Sequence, residues 1–123
     1  MIGGGVETIA GVVQDPIFGP VVMFGLGGIF VEVLKDVTFR VAPFDTAEAQ
    51  RMIREIRGFA VLQGIRGAPP ADIDALASML AALSRFAAAN AGAIESVDLN
   101  PVRVMPEGQG VLALDALLVP RKP

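Results

Sequence analysis

Asp98, Asn100 and Asp115 are the residues of this chain whose types and spacing suit chemistry. Asp98 and Asn100 stand two apart in the run 94–105, where Val97, Leu99, Val102 and Val104 are strand formers. In an extended chain they therefore point to one face. Asp115 interrupts the otherwise apolar run 111–119, and an unpaired carboxylate is costly to bury there. Pro106, Glu107, Gly108, Gln109 and Gly110 supply turn residues between the two runs, so the whole reads as a β-hairpin. Oxygen-bearing side chains converging from two strands suit a hard cation such as Mg²⁺. A four-residue loop, Glu107 to Gly110, sets Pro106 opposite Val111 and Asp115 opposite Val102. Asp115 then shares a face with Asp98 and Asn100 and is a diagonal neighbour of Asn100. One residue more or fewer in the loop turns Asp115 to the other face, so the metal reading hangs on parity. The bland alternative is that the three side chains are ordinary surface polarity on strands.

Composition narrows the chemistry further. With no His and no Cys among 123 residues, histidine metal sites, histidine-based triads, thiol nucleophiles and thiolate zinc sites are all excluded from this chain. The absence of Trp and Tyr leaves only Phe as a stacking surface. Carboxylates, Asn, Arg, Lys and glycine backbone remain, and no catalytic residue is assigned. A net charge of −3 without a basic block argues against a nucleic-acid surface. No apolar run is long enough to span a membrane, no secretory signal is evident, and cytoplasm is the expected setting.

The elements that must position the hairpin follow from periodicity and punctuation. Residues 6–13 and 21–24 read as strands around the turn 14–20. Gly25, Leu26, Gly27 and Gly28 follow, and such a loop either brings backbone N–H groups to a phosphate or simply turns the chain. Residues 29–34 and 38–42 read as a hairpin in which Glu32 is a partner for Arg40, a solvent-facing acid, or a contact in a ligand cleft. Glu7, in the first strand, has the same alternatives. Asp45 and Glu48 form a capping box, with Glu48 reaching back to the cap amide. The helix they start runs to about Ile56 and buries Met52, Ile53 and Ile56, with Arg51, Arg54, Glu55 and Arg57 solvated. Arg66 lies between Gly64 and Gly67, where it either binds an anion or fastens the loop. A second helix starts near Pro70, with Asp72 and Asp74 favourable at its N-terminal dipole. Ile73, Leu76, Ala77, Leu80, Leu83 and Ala87 form its buried face, Phe86 extends that face, and Asn90–Gly92 ends it. Strands, two helices and strands again predict an α+β unit: a largely antiparallel sheet with the helices on one face.

The segment Asp98-Leu99-Asn100-Pro101-Val102 followed by Leu114-Asp115-Ala116 resembles the Mg²⁺-binding end of ATP-grasp ligases. The resemblance is to the NDP-forming acyl-CoA synthetases, a group containing ADP-forming acetate–CoA ligase and, more distantly, the succinyl-CoA synthetase β-subunit. Residues 4–7, 15–37 and 64–72 look like this family too, in the family's order. The resemblance implies that residues 1–123 are the C-terminal ATP-grasp subdomain, a fragment of a larger synthetase and inactive alone. It implies Asn100 and Asp115 as Mg²⁺ ligands, with Asp98 binding directly or through water, and ATP/ADP as the nucleotide. It sets the glycine loop 25–28 towards the nucleotide cleft, and Gly27, Gly28, Glu32 and Arg66 are the candidates for nucleotide and phosphate contact. The family reaction joins an acid to CoA with ATP, through a phosphohistidine and an acyl phosphate. Since this chain has no histidine, that residue lies elsewhere, as do the other ATP-grasp half and the CoA-binding domains. Two other parents are weighed: a protein lysine acetyltransferase with a synthetase-like region, and a non-catalytic α+β interaction module. An open half-cleft leaves surface unpaired, so a homodimer is an expectation.

Overall fold

The computed structural model describes residues 5–27, 36–64 and 67–122. Its elements are β1 (Val6–Asp15), β2 (Gly19–Leu26), β3 (Val37–Val41), α1 (Thr46–Arg54), α2 (Phe59–Gln63), α3 (Ile73–Ala89), β4 (Ile94–Val104), β5 (Val111–Ala113) and β6 (Ala116–Pro120). The sheet runs β3-β2-β1-β4-β5, and β6 also pairs with β4. Every pairing among these strands is antiparallel. Of the hairpin expected around Lys35–Val37, the second strand is present as β3, paired with β2; the strand expected at 29–34 lies outside the described residues.

Alternation decides which side of the sheet is covered. Thr8, Ala10 and Val12 of β1, Val22 and Phe24 of β2, and Val97, Val102 and Val104 of β4 are buried. Against them pack Met52 and Ile53 of α1, Leu62 of α2, and Leu76, Ala77, Leu80 and Ala87 of α3. Each large apolar side chain so buried is worth about 1.5–3 kcal/mol relative to exposure, and the sheet and helices therefore fold as one unit. Residues on the other parity, such as Ile9, Gly11 and Val13 in register with Gly25, Met23 and Val21, form the face away from the helices, uncovered at Val13 (49% exposed) but shielded at Ile9 (7%). Between Thr8 and Ala10 the β1–β4 register shifts. The shift lets Val97 and Leu99 on one side of it, and Val102 and Val104 on the other, all reach the core.

Several local expectations change. Asp45 caps α1 by accepting from Glu48 N–H at 2.9 Å, but the Glu48 carboxylate does not reach back. It binds Arg40 at 2.7 Å and Arg51 at 2.7 Å, because a charged donor is a stronger partner than a neutral amide. Arg40 also meets Glu55 at 2.5 Å, and Thr38 Oγ1 donates to the same carboxylate. Glu55 is therefore a bridge from α1 to β3 rather than one of the freely solvated charges. Beyond α1 the apolar run 59–63 is a helix of its own. α3 starts at Ile73 with Asp72 as its N-cap, later than Pro70, because Asp72 is still engaged with another part of the chain. Phe86 is 44% exposed: it falls on the solvent side of α3, off the stripe that faces the sheet. No helix among the described residues is long and apolar enough to cross a membrane.

Candidate functional site

β4 is the strand that gathers the polar side chains. It lies between β1 on one side and the broken strand β5–β6 on the other. Its alternation turns Val97 and Leu99 toward the helices and leaves Asp98 and Asn100 exposed on the uncovered face. On the other strand, Val102 pairs with Ala113 and Leu99 with Ala116, which places Asp115 opposite Asn100. The Asn100 N–H donates to the Asp115 carbonyl at 3.2 Å. The predicted partner of Asp115 was Val102, two residues further on. The turn is longer than the four residues assumed, since β4 stops at Val104 and β5 starts at Val111. By plain alternation Asn100 and Asp115 would share the core-facing side of Val102 and Ala113. The register shift in β4 between Leu99 and Val102, matched by the break between β5 and β6, turns both to the other face. Asp115 therefore stands with Asn100 and Asp98 and moves from a diagonal to a direct cross-strand position. Side chains in that relation stand roughly 4.5–5.5 Å apart at Cβ.

The neighbours on this face are a charged pair and glycine backbone. Arg103 donates to Glu7 at 3.2 Å, and the two residues face each other in the β1–β4 register. Arg103 Nε is buried without a partner among the described residues. Glu7 is thus a half-exposed ion-pair acid at the edge of the site. Its partner, 96 positions away, was invisible to a local reading. Gly27 N–H donates to the Glu7 carbonyl at 2.9 Å, and a side chain at Gly27 would meet the Glu7 backbone at 3.2 Å. Gly27 therefore joins the chain after β2 to β1, and its amide is already engaged. Gly28, Glu32 and Arg66 lie outside the described residues, and Arg40, the suggested partner of Glu32, is held by Glu48 and Glu55.

The donor set can be tested against a cation. No group of three His, Cys, Asp or Glu among the described residues is arranged to hold a metal. Two carboxylates and an amide oxygen, exposed on one face, are instead a partial set. That fits Mg²⁺, which keeps several waters and is bound by one or two carboxylates together with phosphate oxygens. A depression at the far end of the sheet, lined by Gln14, Asp15, Glu95 and Arg121 among others, has different chemistry. There the Asp15 carboxylate accepts from the N–H groups of Ile17 and Phe18 at 2.8 and 3.0 Å. The Phe18 and then the Ile17 amide hold its carboxyl below the usual aspartate value, so Asp15 closes a turn.

Comparison with known proteins decides the family. A family profile described as an ATP-grasp domain matches residues 1–119. The chain belongs to the ATP-grasp family. This ATP-grasp chain is 47% identical over 119 residues to the β-subunit of ADP-forming acetate–CoA ligase II of Pyrococcus furiosus, covering 97% of itself and 50% of that protein. It is 48% identical over 112 residues to ADP-forming acetate–CoA ligase I of Archaeoglobus fulgidus, covering 91% of itself and 16% of that protein. Among solved structures it superposes with a TM-score of 0.88 and 45% identity on dinucleotide-forming acetyl-coenzyme A synthetase 1 of Ca. Korarchaeum cryptofilum, covering 96% of itself and 54% of that chain. That protein was crystallised with coenzyme A and Mg-AMPPCP, its phosphohistidine segment pointing towards the nucleotide binding site. The chain spans half or less of the length of the two ligases it matches. These relatives are ligases and synthetases, and they lend no support to an acetyltransferase parent or a non-catalytic module.

Proposed function

We propose that this ATP-grasp chain is the C-terminal, Mg²⁺–ATP-facing subdomain of a larger ADP-forming acyl-CoA synthetase. The observation that carries the reading is the backbone hydrogen bond from Asn100 of β4 to Asp115, at the break between β5 and β6, on the uncovered face, with Asp98 two residues along. Asn100 and Asp115 would hold Mg²⁺ by their side-chain oxygens, and Asp98 directly or through a water. The ion would offset charge on the phosphate oxygens during phosphoryl transfer. The chain's own contribution is position. A hydrogen-bonded strand pair sets the two ligands side by side, and the Glu7–Arg103 pair borders them.

In the same reading, Gly28, Glu32 and Arg66 serve the phosphate side, and Gly27 contributes closeness of backbone rather than a free amide. The whole reaction, joining an acid to CoA at the expense of ATP, needs a phosphorylatable histidine and a CoA site. This chain has no histidine, so the phosphorylatable residue belongs to another part of the parent protein; in this reading the CoA site does too, and the isolated chain is inactive. Cytoplasmic acyl-CoA metabolism is the setting that goes with that chemistry. The exposed side chains of β6, Leu117 at 62% and Leu118 at 47%, support self-association of the isolated chain through that edge.

The test is a Mn²⁺ titration in the presence of ATP, read by paramagnetic broadening of backbone amides. Broadening should centre on residues 98–100 and 115–117 and weaken at least tenfold in Asn100→Ala and in Asp115→Ala, as expected when a ligand to the ion is lost. Broadening centred on Asp15 and Glu95, or affinity unchanged in both variants, would overturn the assignment.

A further inference from the structure

Asp115 sits at the break between β5 and β6, the least supported part of the sheet. Among the described residues β5 and β6 are strand-paired with β4 alone, and from Leu112 to Pro120 every side chain is exposed. A strand with no buried face has little to specify its register, yet a slip of one residue would turn Asp115 away from Asn100. The register must therefore be set at the turn.

That turn is stitched to the start of α3. One oxygen of Asp72 accepts from Gly108 N–H at 3.1 Å and from Gly110 N–H at 2.8 Å. The other accepts from Ala75 N–H at 3.2 Å, capping α3. Asp72 N–H donates to the Met105 carbonyl at 2.8 Å, and Glu107 N–H donates to the Pro70 carbonyl at 2.9 Å. Gly108 and Gly110 have φ of +87° and +86°, a region that L side chains rarely adopt. One buried carboxylate thus fixes both the length and the shape of the turn, since an inserted or deleted residue would carry at least one of the two glycine amides out of reach.

We propose that Asp72 is a positioning residue of the metal site, acting through the β4–β5 turn to keep Asp115 opposite Asn100. This rests on the reading of the site given above. It gives the motif around residues 64–72 a function beyond starting a helix. An ionised carboxylate suits the task because it is acceptor-only, and three N–H groups converge on it.

The experiment compares wild type, Asp72→Ser and Ser84→Ala. Serine still caps a helix but is too short to reach the turn. Ser84→Ala removes a buried hydrogen-bonding group of α3 far from the turn and controls for general destabilisation. Two quantities are read: amide exchange at Asn100 and Leu114, which donate across to Asp115 and Pro101, and Mn²⁺ affinity in the presence of ATP. Asp72→Ser should speed exchange at both amides about tenfold beyond Ser84→Ala and weaken Mn²⁺ about tenfold, the lower end of the range for residues that orient metal ligands. Exchange matching the control, or Mn²⁺ affinity equal to wild type despite faster exchange, would overturn the proposal. If wild type itself binds no Mn²⁺ near Asn100, the metal reading falls, and exchange alone decides whether Asp72 sets the register.

Discussion

Replacing Asp36 tests the hydrogen-bond reasoning at a point where partners and burial are both clear. Asp36 is 4% exposed, and its two oxygens accept separately from Arg57 N–H at 2.5 Å and Gly58 N–H at 2.7 Å. It thereby ties the start of β3 to the turn between α1 and α2. A hydrogen bond to a charged group contributes about 1.5–3 kcal/mol. Both amides are only partly buried, so water regains some of this once the carboxylate is gone, and Asp36→Ala should cost about 3 kcal/mol. Asp36→Asn is the sharper variant. Its carbonyl satisfies one amide, but its NH₂ must face the other, donor against donor, so it should lose nearly as much as alanine. Urea unfolding followed by far-UV circular dichroism would show the midpoint lowered by roughly 2 M at unchanged slope for both variants, taking a slope near the lower end of its usual range. An asparagine variant as stable as wild type would refute the two-amide account, and so would an alanine variant within about 1 kcal/mol of wild type.

Two further outcomes follow from the helix side of the sheet. Arg40, more than any other group, holds the carboxyls of Glu48 and Glu55 below the usual glutamate value; Arg51 adds to the effect on Glu48 and Thr38 to that on Glu55. Their folded-state values are depressed, so this stabilisation is present above the ordinary value of 4.5 and is lost as pH falls through the lowered ones. The stability gap between wild type and Arg40→Met, from urea midpoints, should be flat above pH 5 or so and shrink below it; a gap that widens in acid would contradict the pairing. Ser84 is fully buried, accepts from Phe44 N–H at 3.0 Å and lies 2.7 Å from the Ala81 carbonyl. Ser84→Ala strands the Phe44 amide and should cost about 1–3 kcal/mol by the same unfolding measurement, whereas a loss under about 0.5 kcal/mol would mean that water replaces the hydroxyl.

What could be read from residue order was whatever repeats with a short period. Met52, Ile53 and Ile56, and then Leu76 through Ala87, announce two amphipathic helices, and the alternation around Val97 and Val102 announces β4. The five residues of α2 are too few to show a period. Alternation alone puts Asp98 and Asn100 on one face, but bringing Asp115 there takes the register shift in β4 and the break between β5 and β6, which no short-range pattern marks. The actual partner of Asp115 needed the turn length, and that depends on Asp72, 36 and 38 positions from the amides it holds. The Asp36 anchor was hidden for a related reason: its partners are backbone amides, which every residue carries and no sequence pattern marks. The half of the capping box that failed shows local chemistry yielding to tertiary chemistry. Glu48 had an amide within reach, and the fold offered it two arginines.

The one-sided bonding of β6 has a thermodynamic consequence. A strand held along a single edge opens in local fluctuations that leave the rest of the domain intact. Asp115 immediately precedes that strand, and Asn100 belongs to β4 in the interior of the sheet. A cation shared by the two would join a frayed margin to a firm one, and opening the margin would then require releasing the ion. By linkage, the tightness of the ion and the closure of the strand are one quantity seen from two sides. Affinity at this site is in that sense a measure of how often the edge is already closed.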